Sequence, residues 1–406
     1  MSDVITAGRS LASNVWEQIR LRAIFEHCKW DPQSEDQSVL ATYPFFLIKT
    51  ALEELRLHAE SLSQEALEAE RELLHKPWLW ERLGIPGQII RVLRRSQELE
   101  RSPTVRVMRF DFHWTDVGWR ISEVNADVPG GYVESGGWNA LFAEQIGGTT
   151  LLPNPAVQLA RAIRETVESE GVVALVHATN FSDDRQVMMN IAMELRAAGM
   201  YPVLAGPANV EFCDGIAVLK IGSGRRRAAA ILRFFPAEWL PQVQSKSDWR
   251  DWFRPSKSVV CNPGHALLLQ SKRFPLVWPE LEAPLTTWKR LLPETRRVGE
   301  VSLDAGDWVI KPALGRVGED VAMKNIVSEA EFRRLAGQAD RRPDQWVAQT
   351  RFRTQPVRTD GASVYPCLGV FTVNGKFAGV YGRASRTPLV NQDAQDVAVL
   401  VSDRVS

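Results

Sequence analysis

Residues Val105–Asp127 read VRVMRFDFHWTDVGWRISEVNAD, and the stretch alternates apolar and polar on both sides of Asp116-Val117-Gly118. That tripeptide suits a three-residue hairpin loop with Gly118 in the left-handed region. Pairing across it sets Thr115 opposite Trp119, Asp111 opposite Glu123 and Arg109 opposite Asn125. Successive side chains of a strand point to opposite faces. Arg109, Asp111, Glu123 and Asn125 then share one face, with His113 beside them. Met108, Phe110, Phe112, Trp114, Val124 and Ala126 form an apolar layer on the other.

Two carboxylates directly opposed destabilise a sheet. A cation between them removes the repulsion. Two carboxylates and an amide oxygen are hard donors, suited to Mg²⁺ rather than zinc. Arg109 beside them can grip a phosphate or a carboxylate through two parallel hydrogen bonds. A solvated polar face with an ordinary salt bridge accounts for the same four residues, and the alternation alone does not choose between the two.

Further along the chain, Trp308–Lys311 reads as a strand. Lys311 precedes Pro312 and is biased to extended backbone. A glycine loop, Gly315–Gly318, follows, and glycines there let backbone N–H groups approach phosphates closely. Trp346–Arg353 is another strand. Tyr365–Val373 and Lys376–Arg383 flank Asn374-Gly375, the strongest short hairpin signal. In the middle of the chain, a helix from Pro153 to Glu170, a buried strand Val172–Val176, a helix capped by Ser182 and a strand Pro202–Ala205 give a β-α-β order. Apolar residues at helical spacing between Leu47 and Leu74, and again over Gln88–Leu99, make the first hundred residues read as helical. The expected division is a mainly helical region 1–104, a substrate and metal lobe 105–270 and a nucleotide lobe 271–406.

The 406 residues carry 49 Lys plus Arg and 49 Asp plus Glu. Zero net charge argues against a general nucleic-acid or membrane-surface binder. The arginine run Arg225–Arg227 reads as a solvated patch. The four cysteines are scattered, so neither zinc nor a disulfide framework is indicated, and Cys367 falls in a strand pattern as a core residue. The N-terminus has no signal-peptide core, and no apolar run spans a bilayer, so the expected location is the cytoplasm. There is no GxxxxGK[ST] sequence, which argues against a P-loop enzyme.

RFD and EVNAD at this spacing resemble the synthetase domain of the glutathionylspermidine synthase family, whose members include trypanothione synthetase. Further matches follow in the family's order: ILRFFPAEWL (Ile231–Leu240), VIKPALGRVGEDV (Val309–Val321) and YPCLGVFTVNGKFAGVYGR (Tyr365–Arg383). The resemblance implies an α/β (α+β) ATP-grasp-like fold with a preATP-grasp-like lobe. It implies that ATP phosphorylates a substrate carboxylate and that an amine then attacks the acyl phosphate. It further implies Mg²⁺, or Mn²⁺, on Asp111, Glu123 and Asn125. Arg109 and Arg383 would contact the reacting phosphoryl or carboxylate group. ATP contacts would come from Lys272, Lys311, Gly315, Val317 and Gly318, with Gln349, Thr350, Arg351 and Phe352 beside adenine. Such a site needs charge neutralisation and positioning more than a proton-shuttling base.

The sequence also departs from the family. His27-Cys28 is a neighbouring pair, not a nucleophile with an oriented base, so the amidase of the longer relatives is not expected. After EVNAD the glutathione-specific members carry serines, whereas this chain reads Val128-Pro129-Gly130-Gly131-Tyr132. The acid is therefore expected to be another peptide or amino acid. Val128, Gly130 and Glu134 are the candidate contacts, Glu134 for a cationic amine. The expected partners are these small molecules, with a homodimer as an open option. An inactive nucleotide-binding module, or a kinase stopping at the phosphorylated product, is the competing reading.

Overall fold

A computed structural model describes residues 4–402 apart from 31–32, 35–36, 97, 168–170, 244–247, 304–306, 316–317 and 319. The helix Lys49–Leu74 buries Ala51, Leu55, Ala59, Leu62, Ala66, Ala69 and Leu73, a three-four spacing that makes one apolar stripe. The stripe shares a core with Met108, Phe110 and Phe112 of the strand Val107–Thr115. Trp288 sits at the join, its indole donating to the Leu62 carbonyl at 2.9 Å and its ring edge-on to Phe110 at 5.9 Å. The long helix is thus the floor under the sheet that carries the site.

That sheet is antiparallel, in the order Gln395–Val397, Lys376–Ser385, Ser363–Val373, Val107–Thr115, Gly118–Asn125. Asn374 and Gly375 form the two-residue turn between Val373 and Lys376, with φ of 48° and 79°, the positive pair that a type I′ turn requires. A second antiparallel sheet orders Thr295–Arg296, Trp346–Thr350, Trp308–Pro312, Ala322–Met323. A parallel sheet orders Val259–Cys261, Ala230–Phe234, Val172–His177, Tyr201–Ala205.

The site hairpin differs from the reading of its loop. Thr115 pairs with Gly118, leaving Asp116-Val117 as a two-residue turn. A bulge then inserts Ser122 between the pairs Phe112–Ile121 and Asp111–Glu123, so the acids and the Arg109–Asn125 pair still meet as expected. The reason is burial. Without the extra residue Trp119 and Ile121 would project to the polar face. With it they lie in the core, 4% and 0% exposed.

Three further details differ from the sequence reading. The first 104 residues also contain strands: Phe45–Ile48 pairs in parallel with Val399–Ser402 and antiparallel with Ile5–Ala7. Ser182 does not cap its helix; Phe181 occupies the cap position, and the Ser182 hydroxyl lies 3.5 Å from the Asp183 carboxylate. The preceding helix spans Pro155–Thr166, capped by the Asn154 side chain on the Ala156 N–H at 2.9 Å; the expected extension to 168–170 lies outside the described residues. Strands of the expected segments also share sheets: in the site sheet Ser363–Val373 pairs with Val107–Thr115, and the first and last segments pair through Phe45–Ile48 and Val399–Ser402. Among the described residues no helix is long and apolar enough to cross a membrane.

Candidate active site

The hairpin presents its polar face to a cavity of about 590 Å³. Arg109, Asp111, Glu123, Asn125, Tyr381 and Arg383 line it from the site sheet, and Val309, Lys311, Gln349 and Thr350 from the second sheet. A third wall comes from beyond the carboxyl ends of two parallel strands: Asp184 follows Val172–His177, while Pro236, Glu238 and Trp239 follow Ala230–Phe234. The crevice outside such strand ends is the usual place for a ligand in an open α/β sheet.

The two opposed acids each hold a cation of their own chain. Arg109 reaches Asp111 through Nε at 2.7 Å and Nη2 at 2.9 Å, a bidentate pair, and donates Nη1 to the Gly130 carbonyl at 2.7 Å. Lys272 Nζ lies 3.1 Å from Glu123 Oε2 and donates to the Gly315 carbonyl at 2.7 Å. The Asn125 amide leans toward Asp111 at 3.4 Å. The repulsion that called for an external cation is therefore already relieved by protein side chains. Among the described residues no group of three or more His, Cys, Asp or Glu side chains is gathered to hold a metal. The donors on offer remain two carboxylates and one amide.

Lys311 donates to Gln349 Oε1 at 2.6 Å and to the Ser122 carbonyl at 3.0 Å, so the bulge residue receives the lysine of the opposite sheet. Burial, reinforced by the Lys272 charge and only partly opposed by Glu123, lowers Lys311 to about 8. Burial raises the Glu123 carboxyl, but the Lys272 and Lys311 charges overcome this and hold it at about 2. Burial and the Lys311 charge bring His113 to about 3, so its ring is neutral; it meets the Ser122 hydroxyl at 3.1 Å and tilts against Phe352 at 5.1 Å. Burial pushes the Cys367 thiol well up, which keeps it protonated. Arg383 donates Nη2 to the Asn391 carbonyl at 2.6 Å, while its Nε is buried without a hydrogen-bond partner among the described residues.

Of the residues singled out from sequence, Gly315, Gly318, Arg351, Phe352, Val128 and Gly130 also line the cavity, and Lys272 stands behind Glu123. Val317 lies outside the described residues. Glu134 is not among the lining residues. It is buried against Lys29, so its cationic partner belongs to its own chain. Sequence reading missed Ser122, Tyr381, Asp184, Glu238 and Trp239 as lining residues. Glu238 and Trp239 carried a signal as part of the ILRFFPAEWL match, Tyr381 as part of YPCLGVFTVNGKFAGVYGR, and Ser122 through the parity of its neighbours; Asp184 carried none.

Gly318 closes the roof. Its φ is +68°, and a Cβ there would collide with the Val390 carbonyl and the Asn391 backbone. Gly318→Ala is expected to loosen this roof, because positive φ and a backbone clash together cost about 1–3 kcal/mol. Faster proteolysis within residues 313–321 is the readout, and an unchanged cleavage rate would show the contact to be dispensable.

This mixed helix-and-sheet architecture is that of the ATP-grasp-related synthetases. Within that class, the family model described as glutathionylspermidine synthase preATP-grasp matches residues 24–402, and the chain belongs to this family. Among solved structures, a glutathione synthetase-like effector from Globodera pallida, in its apo form, shares the fold. It has a TM-score of 0.64 and 12% identity, covering 97% of this chain and 100% of that one. A gamma-glutamylcysteine synthetase-like protein from Methylobacillus flagellatus matches at a TM-score of 0.41 and 10% identity, over 79% of this chain and 86% of that one. No curated protein matches the sequence.

Proposed function

We propose that the protein is an ATP-dependent carboxylate–amine ligase that forms an amide through an acyl phosphate. The observation that carries this reading is the convergence, on one cavity between two sheets, of Arg109, Lys311 and Arg383, with Lys272 adjoining, around the acids Asp111 and Glu123. Phosphoryl transfer is catalysed mainly by holding the reacting oxygens in line and neutralising their charge. Lys311 and Lys272 bind the nucleotide phosphates. Arg383, with its unsatisfied Nε, takes the transferred phosphoryl oxygens, and Arg109 orients the acid. Asp111, Glu123 and Asn125 offer hard oxygen donors on adjacent strands, a set that fits Mg²⁺ or Mn²⁺; such a cation would neutralise phosphate charge. The segment Gln349–Phe352 flanks the base, and Phe234 and Trp239 line the cavity's third wall. The acid is proposed to be a small peptide or amino acid other than glutathione, because Val128-Pro129-Gly130 offers no side-chain hydroxyl. The cytoplasm is the compartment this reading implies.

A second reading, a nucleotide-binding module without turnover, draws on the pairing of each acid with a cation of the same chain. Phosphate release from ATP and Mg²⁺, screened across amino acids and peptides crossed with amines, separates the two. Ligation predicts release that requires one acid and one amine together. Nucleotide binding with no release for any pair leaves the module, and ADP formed with acid alone, its phosphoryl group retained on the acid, points to a kinase.

A further inference from the structure

Tyr381 lies where the cavity meets a buried charge network. The Arg109 guanidinium stacks over its ring, Cζ 5.3 Å from the ring centre. The phenol donates to Asp396 Oδ1 at 2.6 Å, and the other Asp396 oxygen accepts from Lys29 Nζ at 3.1 Å. Lys29, which also pairs with Glu134, follows the first helix, Ser13–His27, and is 367 residues from Asp396 in the chain. Asp396 is pinned through its backbone as well: its N–H donates to the Val39 carbonyl at 2.6 Å, and its carbonyl accepts from the Ala41 N–H at 2.9 Å. Two glycines make room for the stack. A Cβ on Gly131 would come within 2.7 Å of the Tyr381 ring, and one on Gly369 within 2.7 Å of Arg109 Cδ.

We propose that Tyr381 is a positioning residue for Arg109, tethered by Asp396 and Lys29 so that the guanidinium keeps its aim when Asp111 releases it. In the structure Asp111 orients Arg109, but a carboxylate does so by occupying the N–H groups that a substrate anion needs. An aromatic face attracts the cation through its quadrupole and leaves those N–H groups open. The ring can do this only if it cannot swing away, and the phenol–Asp396 hydrogen bond prevents that. Lys29 and the Tyr381 phenol each engage one Asp396 oxygen, which holds that carboxylate on them rather than on Arg109. The role in catalysis rests on the ligase reading; the restraint on Arg109 does not.

The test follows the Arg109 ¹⁵Nε–¹Hε NMR resonance in an Asp111→Ala background, where that carboxylate no longer holds Nε, and assigns it by its loss on adding Arg109→Lys. With Tyr381 intact the signal should be sharp and slowly exchanging. Tyr381→Leu should broaden it or speed its exchange by about tenfold, the scale of one partly buried cation–π contact. Tyr381→Phe, which keeps the ring and the packing, should shift the signal and speed its exchange by a smaller factor. An unchanged Arg109 signal in both folded variants overturns the proposal. Where a substrate pair is in hand, Tyr381→Leu should raise KM for the acid and leave KM for ATP unchanged. Equal rises in both would overturn the positioning role. If no pair turns over, the ligase reading fails while the NMR arm still decides the restraint.

Discussion

Asp127→Ala is expected to cost about 3–5 kcal/mol of folding stability, the scale for removing one partner of a buried ion pair. Asp127 and Arg233 face each other with both side chains fully buried. One Asp127 oxygen holds the guanidinium, and the other accepts from the Ala237 N–H at 3.0 Å. The arginine is also tied to the Phe235 carbonyl at 2.6 Å and the Asn262 carbonyl at 3.1 Å. Removing the acid leaves a charge in the core with carbonyl partners alone. Chemical denaturation of wild type, Asp127→Ala and an Asp127→Ala/Arg233→Met double variant checks this, and the double variant should recover much of the loss because no bare charge remains. A single-variant loss under about 1 kcal/mol would show that the core tolerates the unpaired arginine. Ala237 precedes Glu238 and Trp239, so the pair also fastens the cavity's third wall to the end of the site hairpin.

Lys311→Met is expected to lower nucleotide-driven turnover by about 10²–10³-fold, the range for deleting one positioned charge-stabilising donor. Wild-type nucleotide affinity should be greatest below pH 8 and fall as pH rises through about 8, where the buried Lys311 ammonium loses its proton. The sign follows from charge: only the protonated amine attracts phosphate, and burial brings its loss within reach of mild alkali. Bound phosphate will raise the apparent midpoint. Titration of nucleotide affinity between pH 6.5 and 9.5 should show the fall in wild type and its absence in Lys311→Met. The same slope in both would assign the titration to another group.

Alternation and turn residues carried much of the architecture. Asn374-Gly375 specified its own turn, and the helical stripe of Lys49–Leu74 followed from spacing alone. The shared face of Arg109, Asp111, Glu123 and Asn125 was readable because strand periodicity forces it. The bulge at Ser122 was partly readable: Trp119 and Ile121 stand on the wrong parity for a simple hairpin, and one extra residue corrects it. The partners of the charges were not readable. Glu134 finds Lys29 across 105 residues, and Lys272 reaches Glu123 from a segment with no periodic signal.

The residues themselves determined the hairpin, its polar face and the family, because local backbone geometry and the burial of one strand face act over a few neighbouring positions. Only the tertiary structure decided which cation answers each acid, that Tyr381 lies under Arg109, and that Asp184 and Trp239 complete the cavity. Apart from Arg109–Asp111, two residues apart on one strand, those pairings join segments far apart in the chain, and they form only when packing of the sheets brings the segments together.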